Sequence, residues 1–506
     1  MPFVVFCVAV VAAAALVVAG IAHLVGTLIH HRQASAPTAA RPAAVVQLAP
    51  YVVEGSHQPP WSAQAAARAR RMIAPLANAE GMPSKSGIVV MAADGQVLYQ
   101  RNASALLVPA STMKLLIGSA AYFGLGRDAR LHTRLVATEP PGADGVIHGD
   151  LRLVGAGDPL LATDDLAAAA RALARRGIRR IDGDLVVDAT AFGGPEQNPT
   201  WLPSDLEYDY AAGASAVALD QGVVQIDVTP TTPGAPAKIA MEPENDAVRI
   251  VGGAATTNAT MSLSIERTGD GRELTVSGGI PAGPMQSFWR TVVDEPAFVG
   301  NAFARMLRAD GIEVRAVRVA AKPTTGGTVL WDHPSERVGR LVRSMFFESN
   351  NHTAEQLLRV IGRDSGEPGT VDTGRAAEQH LFGAAGLGLR GARILDGSGL
   401  SPKDRVDAAT LAHLLALDLS ARGGAAFIRE LPRVGLDGTV RYRSLDQAAG
   451  LVHAKDGYED GASSLAGYVQ TRHHGVVCFA FIADDWDSLD RVWDLEDEIL
   501  DRVSTL

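Results

Sequence analysis

The chain has 506 residues, 47% of them hydrophobic and 20% charged, so it is long enough for two or three folded domains. Its net charge of −10 at pH 7 argues against a nucleic-acid partner, because such proteins carry a basic surface. Its two cysteines, Cys7 and Cys478, are too few for a disulfide framework.

The N-terminal segment is strongly apolar. From Phe3 to Ile29 the chain contains 27 residues without an Asp, Glu, Lys or Arg. The apolar region of a secretory signal is about 7 to 15 residues long, whereas a membrane span needs roughly 20. We therefore predict that residues 1–60 form a membrane anchor followed by a linker, with a cleaved signal peptide as the alternative.

Both ends of the remaining chain contain strand-like runs. Residues 86–102 hold two apolar runs around Asp94-Gly95, the pattern of a β-hairpin, and a helix is expected from Ser111 to the glycines at 124 and 126. Residues 463–471 and 475–483 are strand-like, and an amphipathic helix follows at 488–506. These patterns predict one antiparallel sheet, flanked by helices, to which both ends contribute.

The middle of the chain differs from its ends. Residues 134–330 contain many short strand-like runs separated by Gly, Pro, Asp and Thr, with one short helix at 164–177. Helical patterns return from about 335 to 432. The fold class is therefore predicted as α/β (α+β), with a domain split into 61–133 and 331–506. A β-rich insertion of one or two small domains, residues 134–330, interrupts it.

A serine and a lysine three residues apart open the helix after Pro109. The chain has only six lysines, and Lys114 lies one turn from Ser111 on the same helix face. A serine needs a base to become a nucleophile, and a lysine kept from water has a lowered pKa and can act as that base. The helix N-terminus also offers N–H groups to an oxyanion. The alternative is a capping serine and a surface lysine.

Two further triplets follow in the chain. Ser349-Asn350-Asn351 precede a helix, and Lys455-Asp456-Gly457 precede the C-terminal strands. The order S-x-x-K, S-x-N, K-x-G is that of penicillin-recognising serine acyl-transferases. The alternative for Ser349 and Asn351 is a helix N-cap.

The likeness extends over residues 62–506. It rests on five blocks: "GDLRLVGAGDPLL", "SNNHTAEQLLR", "LDGSGLSPKDRV", "LPRVGLDGTVRYR" and "AKDGYEDGASSLAGYV". Together they resemble the D-alanyl-D-alanine carboxypeptidase/endopeptidase family, low-molecular-mass penicillin-binding proteins with large insertions between the first two motifs. The resemblance implies a penicillin-binding, serine β-lactamase-like transpeptidase domain. It also implies an exported cell-envelope enzyme that acts on peptidoglycan stem peptides, is inhibited by β-lactams and needs no metal or cofactor.

The resemblance also implies roles for individual residues. Ser111 would be the acylated nucleophile and Lys114 its base. Ser349 would relay a proton to the leaving amine, and Asn351 would orient the substrate amide. Lys455 would lie beside Ser349. The substrate-binding residues would be Asp456, Gly457 and Tyr458, and the N–H groups of Ser111 and Tyr458 would form the oxyanion hole.

The third motif departs from the family pattern. The family usually has K-T-G followed by Thr, whose hydroxyls receive the terminal carboxylate of the substrate, whereas this chain has Asp456 and Tyr458. An ionised aspartate would repel that carboxylate. Two alternatives to a DD-peptidase therefore stay open: a β-lactamase or esterase of the same fold, and a catalytically weak peptidoglycan-binding envelope protein. The choice between carboxypeptidase and endopeptidase action also stays open.

A metal site is not expected. His352 and Glu355 lie one turn apart on a predicted helix, but no second histidine completes a metalloprotease motif. The pairs at 30–31 and 473–474 are more typical of solvated loops than of metal ligands.

Overall fold

The computed structural model describes residues 48–506, except 56–57, 269, 364–366 and 390. The predicted anchor from Phe3 to Ile29 therefore lies outside the described residues. Within the described ranges, no helix combines the length and the apolar character that a membrane crossing requires. The α-helices there are α1 (Ala63–Ala77), α2 (Lys114–Ser119), α3 (Thr163–Arg175), α4 (Glu295–Ala309), α5 (Val338–Glu348), α6 (Asn351–Ile361), α7 (Val371–Ala384), α8 (Ala408–Ser420), α9 (Gly424–Ile428) and α10 (Leu489–Ser504).

Strands from both ends of the chain form one antiparallel sheet. In spatial order its strands are β19 (Val452–Glu459), β20 (Ala462–Gln470), β21 (Val476–Asp484), β1 (Ser86–Ala92) and β2 (Val97–Arg101). The hairpin predicted around Asp94-Gly95 is confirmed. The three middle strands are buried on both faces, which explains their nearly continuous apolar runs.

Helices cover both faces of this sheet. On one face α8 packs on β1 and β21, and the buried side chains of α2, α5 and α6 join the same core. On the other face α1 packs against α10 over a second core. Ser111, just before α2, and Asn351, the first residue of α6, are therefore held in place by helices that share one core.

The remaining strands lie between residues 132 and 334 in the described part of the chain. A five-stranded sheet has the order β17 (Val317–Val319), β7 (Leu185–Asp188), β5 (Leu151–Val154), β3 (His132–Ala137) and β18 (Thr328–Pro334). Smaller sheets are β16 (Glu313–Val314) with β6 (Arg180–Ile181) and β4 (Val146–Ile147); β15 (Gln286–Thr291) with β8 (Val223–Thr229) and β9 (Lys238–Glu242); β10 (Arg249–Gly252) with β13 (Glu273–Ser277) and β12 (Ser264–Thr268); and β11 (Ala255–Thr257) with β14 (Gly279–Pro281).

The sequence patterns missed one helix in this region, α4. Asp294 accepts a hydrogen bond from the N–H of Ala297 and caps it, and Pro296 lies in its first turn. Phe298 and Phe303 are fully buried in a hydrophobic core formed by residues 135–330. The prediction of one helix in residues 134–330 was wrong, because Pro296, Gly300 and Asn301 within α4 are residue types typical of turns.

Candidate active site

Ser111 lies in a tight turn immediately before helix α2. Residues Ala110–Met113 form one 3₁₀ turn, and Ala110 has a positive φ of 44°. A non-glycine residue in this region is strained and is held there by its surroundings. The surroundings are close: a Cβ added to Gly399 would lie 1.9 Å from the carbonyl oxygen of Ala110. The loop around Gly399 therefore holds the turn that presents Ser111.

Lys114 is fully buried beside Ser111. Its Nζ lies 2.8 Å from Ser111 Oγ, 2.6 Å from Asn351 Oδ1 and 2.8 Å from the carbonyl oxygen of Ser398. Burial, assisted by the nearby charge of Lys455, lowers the pKa of Lys114 to about 7. A substantial fraction of this lysine is therefore neutral at neutral pH.

The three partners of Lys114 suit a neutral amine acting as a base. A neutral amine has two N–H donors and one lone pair. The oxygens of Asn351 and Ser398 are acceptors only, so they take the two N–H groups. The lone pair is then directed at the hydroxyl of Ser111, which is the geometry that removes its proton.

Ser349 and Asn351 lie at the junction of two helices. Helix α5 ends at Glu348, and Ser349 adopts a left-handed conformation with φ 53° and ψ 36°. The side chain of Asn350 accepts a hydrogen bond from the N–H of Thr353 and so caps α6. The N-cap is thus Asn350 rather than Ser349 or Asn351. Asn351 is left free to bind Lys114 through Oδ1 and to donate from Nδ2 to the carbonyl of Tyr210 at 2.7 Å.

Lys455 and Asp456 are paired with each other on strand β19. Lys455 is buried, and its Nζ lies 2.7 Å from both the carbonyl oxygen and Oδ1 of Asp456. Thr439 also donates to Asp456 Oδ1. Burial raises the pKa of Asp456, but the charge of Lys455 and the hydrogen bonds from Lys455 and Thr439 outweigh burial and hold the pKa below its usual value. Asp456 is therefore ionised, and Lys455 is directed to it rather than to Ser349.

Gly457 lies against the nucleophile. A Cβ added there would lie 2.7 Å from the backbone nitrogen of Ser111 and 2.4 Å from Ser464 Oγ. Ser464 Oγ in turn donates to the carbonyl of Pro109 at 2.6 Å. Strand β19 thus brings its backbone next to Ser111 N, while the side chain of Tyr458 is 52% exposed.

Sequence reasoning missed several residues that support the site. The carbonyl of Ser398, which accepts from Lys114, lies in a block that resembled the family, but no sequence signal shows what a carbonyl contacts. Glu355 Oε1 accepts from the N–H groups of Gly397 at 2.8 Å and Ser398 at 3.0 Å. His352, one turn earlier, is buried and bonds the carbonyl of Gly213 through Nδ1 at 2.7 Å. The side chains of His352 and Glu355 thus form hydrogen bonds with different backbone groups.

A cavity of about 670 Å³ opens beside the site. Its walls include Ser349, Asn350 and Asn351 from the helix junction and Tyr210, Gln221 and Trp289 from the middle of the chain. Asn350 Nδ2 hydrogen-bonds Gln221 Oε1, and both residues line the cavity. Residues between 134 and 330 therefore form part of the wall of the cleft that leads to Ser349.

A sequence profile of the D-Ala-D-Ala carboxypeptidase 3 (S13) family matches residues 71–501. This chain belongs to that family. The D-alanyl-D-alanine carboxypeptidase of Actinomadura sp. (strain R39) is 35% identical over 408 residues, which cover 76% of this chain and 75% of that protein. The family inferred from the five sequence blocks is confirmed, and the chain is a serine-type D-Ala-D-Ala carboxypeptidase of the S13 family.

Two solved structures have the same fold as this chain. Penicillin binding protein 4 (dacB) of Haemophilus influenzae superposes with a TM-score of 0.74 at 22% identity, covering 87% of this chain and 99% of that chain. The same protein complexed with a β-lactam superposes with a TM-score of 0.69 at 22% identity, covering 84% and 97%. The predicted α/β penicillin-binding fold is confirmed.

Proposed function

We propose that this DD-peptidase cleaves the terminal D-alanyl-D-alanine bond of peptidoglycan stem peptides through an acyl-enzyme on Ser111. The observation that carries the proposal is the set of contacts of Lys114. Two acceptors occupy its N–H groups, so its lone pair is directed at Ser111 Oγ, 2.8 Å away.

In the acylation step, Ser111 Oγ attacks the carbonyl carbon of the penultimate D-alanine, and its proton passes to Lys114 Nζ. The negative charge that develops on the carbonyl oxygen is received by the N–H groups of Ser111 and Tyr458. The position of Gly457 against Ser111 N supports this assignment, because it brings the backbone of β19 to the nucleophile.

The leaving group departs with a proton. The amine of the terminal D-alanine receives it from the hydroxyl of Ser349, which is reprotonated from Lys114, and the C–N bond breaks to leave an ester on Ser111. Asn351 orients the substrate amide with the part of its side chain that Lys114 and Tyr210 leave accessible. Water then attacks the ester while Lys114 takes its proton; the ester C–O bond breaks, Lys114 returns the proton to Ser111 Oγ, and the peptide is released as a carboxylic acid.

The same acylation chemistry applies to β-lactams, whose ring amide replaces the scissile bond. The β-lactam complex of the Haemophilus influenzae relative supports β-lactams as inhibitors of this enzyme. A β-lactam acylates Ser111 in the same way, and the ester is hydrolysed slowly because the leaving group stays attached.

Intact-mass analysis of the purified full-length chain after incubation with a β-lactam tests the proposal. We expect one adduct, mapped by peptide analysis to Ser111, and none in Ser111→Ala. Ser84→Ala, a change at an exposed serine outside the site, is the matched control and should label fully. A label on another serine would overturn the assignment.

The same measurement separates the alternatives. A β-lactamase would turn over a chromogenic β-lactam rapidly instead of accumulating the adduct. A catalytically weak peptidoglycan-binding protein would show neither adduct nor turnover and would still sediment with peptidoglycan. Release of D-alanine from a pentapeptide, compared with cleavage of a cross-linked dimer, distinguishes carboxypeptidase from endopeptidase action.

We also propose the division of the chain into domains. The catalytic domain would comprise residues 61–133 and 331–506, with 134–330 inserted. The antiparallel pairing of β3 with β18, in which Thr133 faces His333, supports a common exit and return point. Limited proteolysis should cut first at the mostly exposed residues 127–130 and 336–337, which precede β3 and follow β18; early cuts within β1 or β21 would contradict this plan.

We place the enzyme outside the cytoplasm, because its peptidoglycan substrate lies there, and held by the apolar segment from Phe3 to Ile29. The length of that segment supports an anchor. N-terminal sequencing of the native protein tests this proposal: a mature chain that starts between about residues 35 and 45 would mean a cleaved signal.

A further inference from the structure

Glu355 is a buried carboxyl group that the mechanism above does not use. It lies on helix α6, is 1% exposed, and accepts hydrogen bonds from two consecutive backbone N–H groups, those of Gly397 and Ser398. A Cβ added to Gly397 would lie 2.7 Å from the carbonyl of Ala354, so this loop lies directly on the helix. The backbone at residues 397 and 398 is thus fixed to α6 by the carboxyl group of Glu355.

The same short segment also contacts the catalytic lysine, through the next peptide group. The carbonyl oxygen of Ser398 accepts from Lys114 Nζ at 2.8 Å. Asn351 lies four residues before Glu355, on the same face of α6, and accepts from the same Nζ. One helix face therefore sets both acceptors of Lys114, one directly through Asn351 and one through Glu355 and the Ser398 carbonyl.

We propose that Glu355 is a positioning residue that fixes the Ser398 carbonyl and thereby directs the lone pair of Lys114 at Ser111. The proposal rests on the proposed role of Lys114 as the base. If residues 397 and 398 moved away from α6, the Ser398 carbonyl would move away from Nζ. Lys114 would then have a free N–H, and its lone pair would no longer be aimed at one atom.

Glu355 also acts on Lys114 through its charge. The charged groups around the two residues are Arg359 on α6, Asp396 and Asp404 on the loop beside Ser398, Glu378 on α7, and Lys455, Asp456 and Glu459 on β19. Burial, and next the charge of Asp396, raises the pKa of Glu355 to about 7, while Arg359 opposes them. When Glu355 is ionised, its charge raises the pKa of Lys114.

Two variants separate position from charge. Glu355→Gln keeps an oxygen that can accept from both N–H groups but removes the charge. The pH at which β-lactam acylation is half-maximal should therefore fall by about half a unit, and the alkaline plateau rate should stay within about threefold. Glu355→Asp keeps the charge but shortens the side chain by one methylene, so the plateau rate should fall about a hundredfold, as a displacement near 1 Å does.

Glu378→Gln is the matched control. It makes the same change at another buried carboxyl on the neighbouring helix α7, which lies outside the contacts to Ser398. Because Glu378 interacts with Glu355 and not directly with Lys114, this variant should leave the plateau rate unchanged and shift the midpoint of the profile by less than Glu355→Gln does. Thermal unfolding shows whether each variant is folded; if Glu355→Asp is not, the profile of Glu355→Gln decides.

A wild-type plateau rate in folded Glu355→Asp, an unshifted profile in Glu355→Gln, or an equal shift in Glu378→Gln would each overturn the proposal. Ser111→Ala run in parallel distinguishes this outcome from failure of the proposed function. If Ser111→Ala still forms the adduct, the proposed nucleophile is wrong, whatever Glu355 does.

Discussion

At the scale of single residues, the base Lys114 is completely buried, and its amino group nevertheless has a hydrogen-bond partner in every direction. Burial without partners would make its amine costly, and partners with full negative charge would keep it protonated. Neutral oxygens from Asn351 and Ser398 satisfy its hydrogen bonds without holding it as a cation.

The pH dependence of acylation follows from this environment. The pKa of Lys114 is lowered to about 7, and only the neutral amine accepts the proton of Ser111. The acylation rate should therefore be low near pH 5.5, rise through a midpoint near pH 7 and level off above pH 8. Stopped-flow labelling with a fluorescent penicillin measures it. A rate that is flat or falls between pH 6 and 8 would contradict a lysine base.

Asp456 is the residue at which this chain departs from its family. The structure pairs it with Lys455 and Thr439, so an ionised carboxylate neutralises the lysine of the third motif. Asp456 thus acts against a substrate carboxylate in two ways: its own charge repels the carboxylate, and it neutralises the Lys455 cation that would attract it.

Replacing this aspartate should improve recognition of a carboxylate. In Asp456→Thr, the repulsive charge is removed and Lys455 is no longer occupied by Oδ1. Acylation by a carboxylate-bearing β-lactam should accelerate by at least about tenfold, equivalent to roughly 1.4 kcal/mol. Asp456→Asn, which keeps the shape, should reproduce part of the gain, whereas Asp460→Asn at an exposed neighbour should not. Unchanged or slower acylation would show that Asp456 is structural.

At the scale of elements, the edge strand β19 forms one side of the active site. Its pairing with β20 places Gly457 opposite Ser464, and Ser464 binds the carbonyl of Pro109. The strand, its neighbour and the turn before Ser111 are thus linked through short contacts. This explains why the third motif has a glycine at this position.

A side chain at position 457 should disable the site. The Cβ of Gly457→Ala would meet backbone nitrogen of Ser111 at 2.7 Å, which cannot move without displacing the nucleophile turn. Acylation should fall at least about a hundredfold. Gly383→Ala, at a helical position with open space, is the control and should retain activity with stability equal or higher by up to about 1 kcal/mol. Wild-type acylation in Gly457→Ala would refute the close approach of β19.

At the scale of the whole molecule, residues between 134 and 330 contact the segments that hold the catalytic site. Trp201 Nε1 donates to Asp396 Oδ2 at 2.8 Å, and Asp396 Oδ1 accepts from the N–H of Gly399 at 2.6 Å. The Tyr210 carbonyl binds Asn351. Trp201 and Tyr210 therefore support both the loop around Gly399, which holds the turn of Ser111, and helix α6, whose Asn351 binds the base.

Weakening this link should affect both stability and catalysis. Trp201→Phe removes the donor to the buried Asp396, which should cost about 1–3 kcal/mol in urea unfolding. It should also slow acylation about tenfold, because the Gly399 loop loses a restraint. Trp331→Phe, at a half-buried tryptophan of strand β18, should leave the acylation rate unchanged. Equal acylation rates in Trp201→Phe and Trp331→Phe would show that the hydrogen bond of Trp201 does not affect the active site.

Much of the site could be predicted from the sequence because its motifs are local. The spacing of Ser111 and Lys114 on one helix, the order of the three triplets and the five blocks determined the family. The runs of apolar residues determined the strands of the terminal sheet, because a strand buried on both faces has little choice of side chain. Helix α4 was missed because its Pro, Gly and Asn residues resemble those of loops.

Contacts between distant segments required the tertiary structure. The three partners of Lys114 come from residues 111, 351 and 398, and no local pattern shows that a backbone carbonyl at 398 will meet a lysine 284 residues away. The pairing of Asp456 with Lys455 and Thr439 likewise depends on side-chain direction at an edge strand. The sequence alone thus determined which groups carry the chemistry. Only the tertiary structure decided which of these groups are neutral, which form ion pairs and which point at Ser111, because burial and hydrogen bonding set pKa values and side-chain orientation.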